Sequence, residues 1–146
     1  MKIREAKKDD LKRLLELYRE PGELYPEFHR EDGDAEERFA EVLADAHQET
    51  LVAEDGGEVV GTLVVVIVPN LAYGGAPYAV VENVVVAGDR CGEGVGKALM
   101  REAVERARAA GAYKLALTTN LQRERAHRFY RALGMEETHL GFEVAL

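Results

Sequence analysis

Gly88, Gly92, Gly94 and Gly96 crowd the run Val84-Val85-Val86-Ala87-Gly88-Asp89-Arg90-Cys91-Gly92-Glu93-Gly94-Val95-Gly96-Lys97. The run passes from an apolar strand through a turn into a helix. Glycines let backbone N–H groups approach an anion closely, and a helix N-terminus adds the positive end of its dipole. A diphosphate suits such a turn; a plain glycine turn is the alternative. Spacing excludes two other phosphate motifs. A P-loop needs Gly at 91 and Ser or Thr at 98, where Cys91 and Ala98 stand. A dinucleotide fingerprint begun at Gly92 fails at Lys97, and one begun at Gly94 fails at Leu99.

Glu82 interrupts the apolar residues Val80-Val81 and Val84-Val85-Val86. Strict alternation places it on the face of Val80, Val84 and Val86, with Asn83 facing the other way. A carboxylate among valines is costly to ionise, so its pKa should rise toward the range of a general base. A solvated strand face is the alternative. Cys91 lies where a helix N-terminus can lower a thiol pKa, yet no histidine is tied to it by local spacing, which argues against a covalent nucleophile. His29, His47, His127 and His139 show no ligand spacing with one another or with Cys91, so no metal is expected.

The elements that must position these groups follow from hydrophobic periodicity. Lys2 to Ala6 reads as a strand, and Leu11, Leu14, Leu15 and Tyr18 mark a helix face ended by Pro21-Gly22. Glu23 to Gly33 reads as a loop. A second helix after Asp34 shows Ala35, Phe39, Val42, Leu43 and Ala46 on one face. Thr50 to Glu54 and Val59 to Val68 read as strands of a hairpin closed by Asp55-Gly56-Gly57-Glu58. Pro69 to Pro77 is a loop and Tyr78 to Val86 a strand. A third helix carries Val95, Leu99, Ala103 and Ala107 and stops at Gly111. A strand from Tyr113 to Thr119, a fourth helix with Ala126, Phe129, Tyr130 and Leu133, and a last strand from His139 to Leu146 complete the pattern. Interleaved helices and strands over 146 residues predict a single α/β or α+β domain covering 1–146.

Composition narrows the function classes. Apolar residues make up 47% and charged residues 32%, as in ordinary globular proteins. A net charge of -8 argues against nucleic acid as a partner and suits attraction of cationic amines. Met1 leads into Lys2, Arg4 and Glu5 without an apolar signal segment, and the run near Val59 to Val68 is too short to span a membrane. A cytoplasmic location without membrane attachment is therefore expected, and the single Cys91 offers no internal disulfide.

The turn resembles the acetyl-CoA signature of the GNAT superfamily of acetyltransferases, Arg/Gln-x-x-Gly-x-Gly/Ala behind an apolar strand. Gly94 and Gly96 fill the two glycine places, followed by Lys97-Ala98-Leu99. The run Ala126-His127-Arg128-Phe129-Tyr130-Arg131-Ala132-Leu133-Gly134-Met135 resembles the family's late helix ending in Tyr and then Leu-Gly-Phe. The spacing of elements matches from Lys2 to Leu146. Cys91 stands where the family has Arg or Gln, Glu93 where a basic residue is common, Arg123 where many members have Asn, and Met135 in place of Phe. Within the superfamily Thr119-Asn120 followed by Arg123 and the run Ala126 to Tyr130 looks most like aminoalkylphosphonate and aminoglycoside acetyltransferases, and the strand Val81 to Val86 looks closer to glucosamine-phosphate acetyltransferases.

The resemblance implies a GNAT fold, a mixed and mostly antiparallel sheet with helices on both faces. It implies direct transfer of acetyl from acetyl-CoA to a primary amine of a small molecule or peptide in a ternary complex; a degenerate domain that holds acyl-CoA as a sensor or interaction module is the alternative. Tyr130 would protonate the departing thiolate, since a phenol near pKa 10 stays protonated at neutral pH. A packing role, as the i+4 partner of Ala126, is the other reading of Tyr130. Glu82 would activate the amine through water. Strand amides at Val84, Val85 and Val86 would hold the pantetheine arm, and Asn120 would hydrogen-bond it. The backbone of Cys91, Gly92, Glu93, Gly94, Val95, Gly96 and Lys97 would cradle the diphosphate, with Arg90 beside it. Similar enzymes are often dimers, so a homodimer is compatible with the resemblance, though the sequence does not fix the oligomeric state.

Overall fold

Five strands form one sheet in the order β1-β2-β3-β4-β5: β1 Lys2–Glu5, β2 Gln48–Asp55, β3 Glu58–Val68, β4 Tyr78–Val86 and β5 Leu115–Ala116. The computed structural model describes residues 1–20 and 34–144. His29, the expected helix end at Pro21-Gly22, the loop from Glu23 to Gly33, and Ala145 and Leu146 lie outside the described residues. The helices are α1 Leu11–Arg19, α2 Ala35–Ala44, α3 Val95–Ala109 and α4 Glu124–Ala132. Two compact units result, Met1–Ala116 with the whole sheet and Leu117–Leu146 with α4.

In the first unit β1 to β4 pair antiparallel and β4 to β5 parallel, so the sheet is mixed and mostly antiparallel, as expected. Ladder partners share a face. Val52, Thr62 and Val85 are partnered in sequence across β2, β3 and β4, and this face receives α1. There Leu14 and Leu17 pack with Val52, Val59 and Ala87, and the Tyr18 hydroxyl bonds to Thr62. Burial pushes the Tyr18 hydroxyl pKa up, against that hydrogen bond. Leu17, not Leu15, is fully buried in α1, because the true stripe is Leu14, Leu17 and Tyr18.

The opposite face carries Ala53, Gly61 and Val86 and receives α3. A Cβ on Gly61 would meet Val95 Cγ1 at 2.9 Å and Leu99 Cδ1 at 3.2 Å, so only glycine lets α3 come this close. Val95, Leu99, Met100, Ala103 and Ala107 are the buried stripe of α3, and Gly111 (φ 73°) follows it. Helices thus cover both faces.

Two expected strands are not formed as expected. Only Leu115–Ala116 of the stretch from Tyr113 to Thr119 pairs, opposite Ala79 and Val80. Beyond Val81 the partner strand reaches Glu82 and a bulge at Asn83, so no regular edge remains opposite Thr118 and Thr119. Residues 139–144 form no strand, and Leu140, Phe142 and Val144 are 83%, 94% and 78% exposed. Their alternation meets no ladder partner among the described residues, and an unpaired apolar strand has nothing to stabilise it in water.

In the second unit α4 starts after Arg123 and ends at Leu133, with Gly134 (φ 81°) closing it. The N–H groups of Gly134 and Met135 return to the carbonyls of Arg131 and Tyr130, at 2.9 and 3.2 Å. No residue of 117–144 is fully buried.

Candidate functional site

β4, the glycine turn and α3 form one continuous segment of the first unit, and it carries Glu82 and the residues from Val84 to Lys97. The ladder between β3 and β4 shifts between Thr62 and Val64: Thr62 faces Val85, whereas Val64 faces Glu82. One extra residue therefore sits in β4, and Asn83 absorbs it at φ 53°. Asparagine tolerates this left-handed backbone better than the valines around it.

The bulge corrects the strand reading at Glu82. Glu82 does share a face with Val80, but Val85 joins them on the α1 side, while Val84 and Val86 turn to the α3 side. Glu82 is exposed, so the buried setting among valines expected for it is not what β4 provides. Asn83 is the residue that bends the strand, a role that simple alternation misses. A bulge interrupts the ladder and leaves backbone groups unpaired, here beside Glu82 and Val84.

After Val86 the chain makes a short 3₁₀ turn at Gly88–Arg90. Gly92 (φ 90°) and Gly94 (φ 85°) follow in the left-handed region, and a Cβ at either position would meet nothing within 4 Å. Backbone conformation, not crowding, demands glycine there. Gly94 is the N-cap of α3, and no side chain caps that end. The first N–H groups of a helix have no partner inside it. Val95, Gly96 and Lys97 thus present their amides beside an open glycine turn, an arrangement suited to a diphosphate.

The side chains of the turn are arranged differently from expectation. Cys91 is exposed, and its thiol points to the Ala87 carbonyl at 3.7 Å. Arg90 Nη2 donates to Asp55 Oδ2 at 2.6 Å, and Arg90 Nε donates to Glu93 Oε2 at 2.7 Å. Arg90 is therefore engaged by two carboxylates, and the Glu93 charge is opposed by a guanidinium. The Arg90 hydrogen bond holds the Asp55 carboxyl below the usual carboxylate range, aided by the Met1 amine 3.1 Å away. The Arg90 pKa is raised in return, chiefly by Asp55 and then Glu93. The Gly88 N–H donates to Glu20 Oε2 at 2.9 Å.

Asn120 and Tyr130 belong to the second unit. Asn120 Oδ1 accepts from the Gln122 N–H at 2.9 Å, and its carbonyl accepts from Arg123 N–H and His127 Nε2 at 3.0 and 2.9 Å. One amide oxygen of Asn120 is thus spent on the turn into α4. Tyr130 is half-buried on α4, its ring edge-on to Phe129 with centroids 5.1 Å apart. Thr119, which the sequence marks only as the neighbour of Asn120 and gives no role, has a buried Oγ1 without a hydrogen-bond partner among the described residues. A buried hydroxyl normally has one, so this oxygen is a natural place for a ligand or water to bond. No cluster of His, Cys, Asp and Glu able to hold a metal is found among the described residues. Among them no helix is long and apolar enough to cross a membrane.

Comparison with known proteins places this architecture. Residues 11–135 match the model of the acetyltransferase (GNAT) family. The aminoalkylphosphonate N-acetyltransferase of Salmonella typhimurium is 36% identical over 108 residues, 74% of this chain and 70% of that protein. The glucosamine 6-phosphate N-acetyltransferase of Trypanosoma brucei brucei is 36% identical over 78 residues, 53% of this chain and 51% of that protein. Among solved structures, a transcriptional regulator from Bacillus halodurans superposes with a TM-score of 0.90 at 33% identity, covering 99% of both chains. With the matched model spanning most of its length, the chain belongs to the GNAT family of acetyltransferases.

Proposed function

We propose that the protein uses acetyl-CoA to acetylate a primary amine of a small molecule or peptide, by direct transfer in a ternary complex. The single observation that carries this reading is the β4–turn–α3 segment. A bulged strand, two left-handed glycines and an uncapped helix N-terminus follow one another in that order. The residues fit the donor. Cys91 to Lys97 supply backbone amides for the diphosphate, and Val84 to Val86 supply strand backbone for the pantetheine arm. Thr119 Oγ1, together with Asn120, offers further hydrogen-bonding capacity.

In the transfer the amine nitrogen attacks the thioester carbonyl, the C–N bond forms, the C–S bond breaks and the amine gives up a proton. Glu82 accepts that proton through water; its exposure on β4 leaves room for one. Tyr130 donates a proton to the sulfur as the C–S bond breaks and is reprotonated from solvent, since a phenol near pKa 10 is protonated at neutral pH and so able to donate. The acceptors named for the two relatives both pair an amine with a phosphonate or phosphate, so they head the panel of candidate amines. The alternative, a domain that holds acyl-CoA without turnover, draws on Cys91 and Glu93. The pairing of Glu93 with Arg90 weakens it.

Thermal unfolding with added nucleotides tests the donor. Acetyl-CoA at 100 times its Kd is expected to add about 2.7 kcal/mol of stability, and ATP and NAD nothing. Equal stabilisation by ATP would make the turn a general nucleotide site.

A further inference from the structure

The glycine turn is tied down by side chains that the transfer does not use. Asp55 ends β2 at the β2–β3 hairpin, and Arg90 ends the 3₁₀ turn after β4. Their ion pair at 2.6 Å links residues 35 apart in sequence. The second arm, from Arg90 to Glu93 at 2.7 Å, closes over Cys91 and Gly92. One guanidinium thus joins the hairpin to both sides of the position where the family pattern has Arg or Gln and this chain has Cys91.

We propose that Asp55, Arg90 and Glu93 form a clamp that orders the diphosphate turn before the donor arrives, in place of the basic side chain missing at Cys91. The inference rests on the acetyl-CoA reading of the same turn. Gly92 and Gly94 lose more backbone freedom on ordering than other residues do, and a binding loop left free must meet that cost when ligand arrives. A loop held in its bound shape by the hairpin has already met it, so affinity rises without a new ligand contact. Arg90 is a positioning residue here. Its planar fork suits two carboxylates at once, which a lysine would not.

The rival role for Arg90 is a direct bond to a phosphate, and the two roles differ in sign. Asp55→Asn frees one side of the guanidinium. If Arg90 served the diphosphate directly, the freed side chain would tighten CoA. The clamp instead predicts weaker binding by about two- to fivefold, the scale of a partly exposed ion pair. Calorimetry with CoA on wild type, Asp55→Asn and Arg90→Gln measures this. Both variants are expected to weaken CoA, and the double variant to be no weaker than Arg90→Gln alone. In steady-state assays the loss should fall on KM for acetyl-CoA and leave kcat alone. It should also vanish with S-acetylpantetheine, a donor without the diphosphate. Circular dichroism confirms that each variant folds, and Glu93→Gln, which cuts the other arm, gives a second test with the same expected sign. Unchanged or tighter CoA binding in Asp55→Asn overturns the clamp. Absence of CoA binding by the wild-type protein overturns the donor reading itself, and the clamp with it.

Discussion

The segment from β4 to α3 and the segment from Leu117 to Val144 both carry clear periodic patterns, and only the first buries the side chains that its pattern marks. Tyr78–Val86 is paired with β3 on both sides of the bulge at Asn83 and Val84, and α3 buries Val95, Leu99, Met100, Ala103 and Ala107. In the second segment α4 buries no residue fully, and the apolar positions Leu140, Phe142 and Val144 stay exposed. Periodicity states which side chains want burial; a partner surface decides whether they get it. The diphosphate turn stands on the sheet and its core, whereas Tyr130 stands on a helix that buries no residue fully and has no side-chain cap at its start.

That contrast can be broken at its functional end. Tyr130→Phe is expected to lower kcat by about 10²–10⁴-fold with little change in KM for acetyl-CoA and little change in melting temperature. A normal kcat would return Tyr130 to packing and leave α4 without a chemical role. It can be sharpened at its structural end. Leu99→Ala in α3 removes a side chain with 0% exposure and should cost about 2–5 kcal/mol in denaturant unfolding. Leu140→Ser, in contrast, should change stability by no more than about 0.5 kcal/mol. A large loss at Leu140 would mean that the last residues are covered in solution.

The sequence made the local features legible. The glycines at 92 and 94 and the stripe of α3 are signals within one turn and one helix, and both are found as expected. Leu115–Ala116 and the unpaired 139–144 segment show the limit, because a strand exists only through a partner that spacing does not name. The bulge at Asn83 had a faint local sign, a residue tolerant of positive φ inside a valine run, and it reversed the faces of Val84 and Val86 relative to Glu82. Asp55 and Glu20 had none. They reach Arg90 and Gly88 across 35 and 68 residues of chain, distances at which no motif operates. Thr119 stood in the sequence only as the neighbour of Asn120, and the missing partner of its hydroxyl is what distinguishes it.

Acetyl transfer itself is tested most directly by following free CoA thiol released from acetyl-CoA by the purified protein across a panel of primary amines. An aminoalkylphosphonate, glucosamine 6-phosphate, an aminoglycoside and a lysine peptide belong in the panel, with mass spectrometry of each amine. The expected result is amine-dependent thiol release matched by one acetyl group on the nitrogen of at least one acceptor. Tight CoA binding with no amine-dependent release from any acceptor would contradict it and make the protein a holder of acyl-CoA rather than a transferase.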